Sequence, residues 1–543
     1  MRPLFPEDRG SCYSLNILEN EKKIREEKER EDKFNETVGS RGSISRYEGK
    51  SFKTLLPQML AAAIGALFHV VVGISFAYSA ILLPQLNAED SDLKITKDQG
   101  SWIASVVTIT IPVSGITCGF LMDSIGRLNT VKLAMIPAVV GWIIIATSKS
   151  VLMMIIGRII TGFAAAWGTS PAMVYITEIA RADMRGSLMS FAPAYTSLGV
   201  VLAYFEGWLM NWRTVAWVCL VYAILPFILV MFIPESPAWL IAKGRNEQAK
   251  KSINWLNKYQ PRVPSKNDQT FAQVQFEYLI REHEEKEKAK INSGGFVARV
   301  KQLLKPTGYK PLLILLGLFV FQQFSGIYIT LFYSVNFFQE VGSGLDPYFV
   351  SILIGGVRFL MSIINTYMLK TFGRRTLIIY GSLAMAVCMF VSGLYTYWIK
   401  DGVTTLNWVP VVAILLYVVT SMVGLLSIPW TMTAELFPIE IRGMAHSIVY
   451  STAYFIMFLS IQSYNTLKET FNGVAGLQWF FAVTSLAGLV YAYILLPEAH
   501  GIKLAEIQEY FMYNSVYIGG RKTKKSVERR NEEQKEELMK NNV

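Results

Sequence analysis

Two adjacent glutamines, Gln322 and Gln323, lie near the middle of Pro311–Val335, an apolar stretch long enough to cross a bilayer. A carboxamide at that depth is costly unless it meets a donor or an acceptor. Ser325-Gly326 follows the pair and loosens the helix, because glycine is a poor helix former. A polar, weakened point halfway along a spanning helix suits the binding site of a solute carrier. The competing reading is that both amides only hold helices together. Trp430, directly after Pro429, is a second candidate. Proline removes a helical hydrogen bond, and an indole offers an apolar face and one N–H donor to a polyhydroxylated ring. Trp430 also lies close enough to Glu435 to serve as an interfacial anchor. His69 could relay protons, or be a neutral, hydrogen-bonded core residue. No Asp or Glu accompanies it in its span, which weakens a proton-coupled mechanism.

A second set of residues is charged and recurs. Gly126-Arg127 reappears as Gly373-Arg374, 247 residues on. Glu178 followed by Arg185-Gly186 reappears as Glu435 followed by Arg442-Gly443, 257 residues on. Pro234-Glu235 reappears as Pro497-Glu498, 263 residues on. Common order and similar offsets argue for duplication of one half of the chain. Arg127, Arg374 and Arg375 are placed to cap helix C-termini, which carry partial negative charge. Glu178 and Arg185, like Glu435 and Arg442, are seven residues apart, too far to bond within one helical turn. They suit bonds between helices, including helices of opposite halves. Such charges could clasp one face of a carrier shut, or act only as static caps and topology determinants. Arg158, in the fourth span near its middle or cytoplasmic side, needs a partner; Glu435 and Glu178 are the candidates.

These side chains must be positioned by membrane helices. Of the 543 residues 52% are hydrophobic and only 17% charged, with mean hydropathy +0.33, too apolar for a soluble protein of this size. The apolar residues come in blocks that predict about twelve spans: Leu56–Leu83, Gly100–Met122, Val131–Thr147, Leu152–Thr177, Ser187–Trp208, Val215–Phe232, Pro311–Phe337, Tyr348–Leu369, Leu377–Ile399, Trp408–Thr433, Met444–Tyr464 and Leu477–Leu496. The expected fold is an all-α membrane protein with two pseudo-symmetric six-helix bundles. Its parts are an N-terminal tail (1–55), a first bundle (56–233), a helical linker (234–310), a second bundle (311–496) and a C-terminal tail (497–543). Within the linker, FAQVQFEYLIREHEEKEKAK is amphipathic and too polar to span.

The net charge of +11 is spread over alternate loops, including Arg127, Arg181 with Arg185, Arg374 with Arg375, and Arg442. The positive-inside rule makes those loops, the linker and both tails cytoplasmic. The same charge distribution speaks for orientation rather than nucleic-acid binding. Four cysteines, one in the tail and three in separate apolar spans, argue against a disulfide framework or zinc site. No phosphate loop, nucleophile elbow or zinc-protease motif marks an enzyme, and no cofactor or metal is implied.

Taken together, the motifs resemble the sugar porter family of the major facilitator superfamily. The matching segments are GFLMDSIGR at Gly119, GRIITG at Gly157, YITEIARADMRG at Tyr175, PESPAWLIAKGR at Pro234, QQFSGIY at Gln322, GRRT at Gly373, PWTMTAELFPIEIRG at Pro429 and PEAHGIKLAEI at Pro497. Within that family the texture is similar to the insect facilitated trehalose transporters. The resemblance implies alternating access to one central sugar site in a monomer of the plasma membrane. It implies that Gln322 and Gln323 bind sugar hydroxyls, that Trp430 packs on the sugar, and that Phe332 and Tyr333 form an outer gate. It implies an inner clasp of Asp123, Arg127, Arg158, Glu178, Arg185, Glu235, Arg374, Arg375, Glu435, Arg442 and Glu498. The chain departs from the family at Tyr328 and Arg358, where asparagines are usual, and near Pro193, where glutamine is usual. It departs again at Lys370, where an acid is usual, at Ser124 and Leu128 in place of basic residues, at Arg181 in place of proline, and at Leu426-Ser427 in place of Gly-Pro. Tyr328 and Arg358 would make the cavity bulkier and more positive, opening it to a different and even an anionic solute. The functional expectation is facilitative transport of a sugar or polyol. The alternatives are a non-transporting solute sensor of the same fold and a proton-coupled symporter.

Overall fold

The computed structural model describes residues 51–514, except 90, 182, 261–269, 293–294, 439 and 503. Most of the two expected tails therefore lies outside the described residues. Among the described residues twelve helices are long and apolar enough to cross a membrane: Phe52–Leu86, Lys97–Ser124, Arg127–Ala146, Val151–Ile179, Arg185–Leu209, Trp212–Val230, Pro306–Phe332, Pro347–Thr371, Arg374–Lys400, Val409–Glu435, Arg442–Gln462 and Val474–Leu495. They are numbered here as spans 1 to 12. Their starts are set by local chemistry. Thr96 and Gln99 form a reciprocal capping box at span 2, and Asp346 accepts the Tyr348 N–H at 2.9 Å to open span 8.

The packing repeats. Spans 1 and 5, 2 and 4, 3 and 4, and 3 and 6 pair in the first bundle; spans 7 and 11, 8 and 10, 9 and 10, and 9 and 12 pair in the second. Adding six to each number converts one set into the other. The bundles meet through spans 5 and 8 and spans 2 and 11, which are each other's counterparts under the same operation. Large apolar side chains such as Ile116, Phe120, Phe232, Tyr380 and Val483 remain exposed, as expected of surfaces solvated by lipid tails.

Among the described residues, spans 3 and 5 break for one residue each, at Ala134 and Ser190, and three spans are interrupted for two residues or more. Span 1 breaks between Ala66 and His69, span 7 between Phe324 and Ile329, and span 10 between Val423 and Ile428. Spans 1 and 7 are counterparts; span 4, the counterpart of span 10, is continuous. In span 10 the cause is legible: Pro429 has no N–H to give the Leu425 carbonyl four residues back.

The linker forms helices Pro237–Ala242, Asn246–Leu256, Phe271–Asn292 and Gly295–Leu303. The expected amphipathic segment is the third of these. It lays Phe276, Leu279 and Ile280 on Trp239, Leu240, Ile241 and Ala249. One further helix, Leu504–Tyr513, falls where the sequence reading placed only a tail. It buries Ile507, Tyr510 and Phe511 and packs along span 7.

Candidate solute site and gates

Gln322 and Gln323 are fully buried at the end of the long segment of span 7, not turned toward lipid. Gln322 Nε2 donates to the Leu425 carbonyl at 2.7 Å and the Leu426 carbonyl at 2.9 Å. Its Oε1 accepts from Gln323 Nε2 at 3.1 Å. Gln322 thus repairs the break that Pro429 makes, and its donors and acceptor are all engaged. Gln323 keeps a buried Oε1 with no partner. The two neighbours therefore differ. One joins spans 7 and 10; the other holds an acceptor in reserve.

Below the break, Trp430 sits in an aromatic cage. Its ring lies 4.6 Å from Phe319, 4.6 Å from Tyr450 and 5.6 Å from Tyr454, and its side chain meets that of Tyr328. Trp430 is half-buried among these rings, so it is not a lone interfacial anchor. Tyr328 leads to Arg358 on span 8, which is buried among the phenols of Tyr328, Tyr204 and Tyr417. Two of those phenols are already committed. Tyr204 donates to the Leu331 carbonyl at 2.7 Å and Tyr417 to the Ser325 carbonyl at 2.7 Å.

The charged residues form two copies of one network. In the first bundle, Arg127 Nη2 meets Glu178 Oε1 at 2.9 Å, and Arg127 Nη1 donates to the Met122 carbonyl at 2.9 Å and to Asp123 at 3.3 Å. Glu235 accepts the N–H groups of Leu128 and Asn129. In the second bundle, Arg374 Nη2 meets Glu435 Oε1 at 2.9 Å and Nη1 donates to the Leu369 carbonyl at 2.6 Å. Glu498 accepts the N–H groups of Arg374 and Arg375 at 2.9 and 3.1 Å. Each carboxylate of the Pro-Glu pairs therefore caps the N-terminus of the helix after the glycine. A side chain on either glycine would collide with it: a Cβ on Gly126 would lie 2.6 Å from Glu235 Oε2, and one on Gly373 2.3 Å from Glu498 Oε2.

These bonds stay within a bundle. The expectation that Glu178 and Glu435 reach across to the opposite half is not met; each holds the arginine that opens span 3 or span 9. Arg442 donates to the Phe437 carbonyl at 3.3 Å, Arg375 also donates to the Tyr493 carbonyl at 2.7 Å, and Arg185 opens span 5. A contact that does cross is Lys370 Nζ to Ser187 Oγ at 2.8 Å, made by the residue whose sign differs from the family pattern.

Arg158 is displaced altogether from this cluster. It lies seven residues from the start of span 4, whereas Glu178 lies twenty residues further along, roughly 30 Å at helical rise. Neither expected carboxylate reaches it. Its guanidinium donates instead to the carbonyls of Ser75 at 2.7 Å and Ile103 at 3.2 Å and to Ser79 Oγ at 2.6 Å. Backbone carbonyls satisfy a buried arginine without any acid, which is the option the sequence reading left out.

At the end remote from the charged networks the bundles are sealed together. Lys97 meets Glu469 at 2.7 Å, Ser105 donates to Gln462 at 2.7 Å, Asn465 donates to Ser101 at 3.0 Å, and Trp208 donates to Asp346 at 2.8 Å. Phe76 packs on Phe332 at 5.4 Å, and Tyr333 stacks on Tyr464 at 4.1 Å. Phe332 and Tyr333 are both buried in this seal.

A duplicated six-helix unit, breaks at the bundle interface and paired charge networks give a definite comparison to make. The family model described as "Sugar (and other) transporter" matches residues 58–511. The chain belongs to the sugar transporter family. Among relatives of this transporter, the facilitated trehalose transporter Tret1-2 homolog of Drosophila simulans is 31% identical over 469 residues, covering 86% of this chain and 93% of the relative. The facilitated trehalose transporter Tret1 of Polypedilum vanderplanki is 29% identical over 458 residues, covering 84% and 88%. The inward-open, partially occluded xylose transporter XylE of E. coli has the same fold, with a TM-score of 0.64 at 20% identity over 83% of this chain and all of that one.

Two features of the transporter escaped the sequence reading. His446 is a second histidine within a span; its Nδ1 is 2.9 Å from Thr433 Oγ1 and its ring lies 4.6 Å from Tyr450. Its place in Met444–Tyr464 was signal enough to find it. The Ser105–Gln462 bond had no signal, since a serine and a glutamine in separate spans carry no mark of pairing.

Proposed function

We propose that this transporter moves a sugar-class solute, a hexose or a disaccharide such as trehalose, down its gradient by alternating access. The observation that carries the reading is a bundle interface sealed at one end and flanked by the broken spans 7 and 10, which carry Gln323, Tyr328 and Trp430, with Arg358 on span 8 beside Tyr328. An aromatic ring suits a hydroxylated ring, with its face against C–H groups, and the phenol of Tyr328 beside it can exchange hydrogen bonds with O–H groups. Phe332 and Tyr333 serve as the outer gate. The networks of Asp123, Arg127, Glu178, Arg185 and Glu235, and of Arg374, Arg375, Glu435, Arg442 and Glu498, brace the inner ends of each bundle as rigid units. The solute crosses without covalent change, in a monomer of the plasma membrane with both tails in the cytoplasm.

Facilitated movement is favoured over proton coupling by the state of His69. Its Nδ1–H donates to the Ala66 carbonyl at 2.8 Å, at the break in span 1, a structural task that leaves the ring fixed. The test is uptake of labelled glucose and trehalose into proteoliposomes, with and without a pH gradient. Saturable uptake indifferent to the gradient, and lost in Trp430→Ala, is expected. Binding without uptake would instead mark a sensor.

A further inference from the structure

Arg158 and Arg358 are both buried guanidiniums, and only one of them is satisfied. Arg158 has two carbonyls and a hydroxyl. Arg358, 8% exposed on span 8, makes no hydrogen bond or ion pair among the described residues. Its Nε is sealed off without a partner, while its terminal nitrogens, also without one, are not sealed. The little surface that Arg358 keeps is therefore at the charged end of its side chain. The ionisable groups that act on it most strongly are the phenols of Tyr328, Tyr204 and Tyr417. The buried acid Glu206 is held elsewhere, by Tyr222 at 2.5 Å.

A buried cation with neither hydrogen-bond acceptors nor a counter-charge is unfavourable. A structure that retains one beside a solute site has left the counter-charge to the solute. We infer that the preferred solute is an acidic sugar, one whose ring carries a carboxylate, and that Arg358 receives that carboxylate. This rests on the sugar-carrier reading above. The planar fork of a guanidinium matches a carboxylate through two parallel N–H bonds. One arginine also matches one charge, which favours a monoanionic carboxylate over a dianionic phosphate. Trp430 and Tyr328 would then meet the face of the ring, so that one molecule uses all three side chains.

Carrying a monoanion makes the net cycle electrogenic, which a neutral sugar cannot do. The test uses the full chain in proteoliposomes with glucuronate, glucose and glucose 6-phosphate, under an imposed potassium diffusion potential. Glucuronate uptake is expected to exceed that of the other two. Its accumulation should rise with an inside-positive potential, toward about 50-fold per 100 mV at equilibrium, while glucose should not respond. Arg358→Gln should cut glucuronate uptake at least about tenfold relative to glucose, and Arg358→Lys should restore part of it. Both variants are to be compared by thermal melting with and without glucuronate. Glucose uptake with no glucuronate uptake overturns this inference and leaves the sugar carrier standing. So does chloride-dependent glucose uptake, which would make an inorganic ion the partner of Arg358. Failure of every sugar to enter overturns the carrier reading itself. The wild-type potential dependence decides the matter even if Arg358→Gln does not fold.

Discussion

At the scale of single residues, chemical type and chemical task separate. Gln322 and Gln323 are identical in kind, adjacent and equally buried, yet Gln322 spends both amide donors on the carbonyls of Leu425 and Leu426. Gln322→Leu would leave those two carbonyls buried without a donor, at about 1–3 kcal/mol each. We expect it to lower the melting temperature by several degrees in detergent. Gln323→Leu removes an unused acceptor and one donor bond, that of Nε2 to Gln322 Oε1, so it should lower the melting temperature less than Gln322→Leu does while losing solute affinity. Equal melting temperatures for the two variants would refute this division. The sequence made plain that both amides needed partners. It could not name them, because the Leu425 carbonyl is orphaned by Pro429, more than a hundred residues away. Arg158 was misplaced for a related reason: a charge suggests an opposite charge, but Ser75 and Ile103 offer carbonyls that no motif advertises.

At the scale of elements, the repeat is legible in sequence because it is built from glycine, glutamate and proline at marked positions. Twelve apolar blocks of spanning length were legible too, since the bilayer sets that length. What stayed hidden is that the two copies are not conformationally equal. Gly126 has φ of +110°, whereas Gly373 has φ of −65°. Both must lack a side chain to admit the capping glutamate, but only Gly126 also needs the freedom of positive φ. Gly126→Ala should therefore destabilise more than Gly373→Ala, by about 1 kcal/mol. Melting of the two variants measures the difference, and hydrogen exchange at Leu128 and Asn129 should rise in the first. Equal loss in both would show that the collision with the carboxylate alone sets the cost. Glu498→Gln is the complementary test. It keeps the size of the side chain and removes the charge from the N-terminus of span 9, so exchange at Arg374 and Arg375 should quicken with the bundle still folded.

At the scale of the whole molecule, the two bundles are stiff units and the seal between them is the part free to change. The bonds of Arg127, Glu178 and Glu235, and of Arg374, Glu435 and Glu498, tie helices within one bundle and resist internal deformation. The seal is a mixture. Lys97 and Glu469 are largely exposed, with side chains 72% and 61% accessible, so solvent screens their attraction. Phe76 against Phe332, and the buried Ser105 hydroxyl on Gln462, form its inner layer. Lys97→Ala should accordingly leave transport nearly intact. A tether across the inner layer should not. Ser105→Cys combined with Gln462→Cys, in a background with Cys12, Cys118, Cys219 and Cys388 replaced, places one thiol on each bundle where spans 2 and 11 meet. Oxidation, or a short bifunctional thiol reagent if the thiols do not join directly, should abolish uptake, and reduction of the disulfide should restore it. Solute binding from the opposite face should survive, because the tether holds closed only the side that is already closed. Full transport by the tethered protein would mean that spans 2 and 11 never part, and the solute would then need a route other than the interface between the bundles.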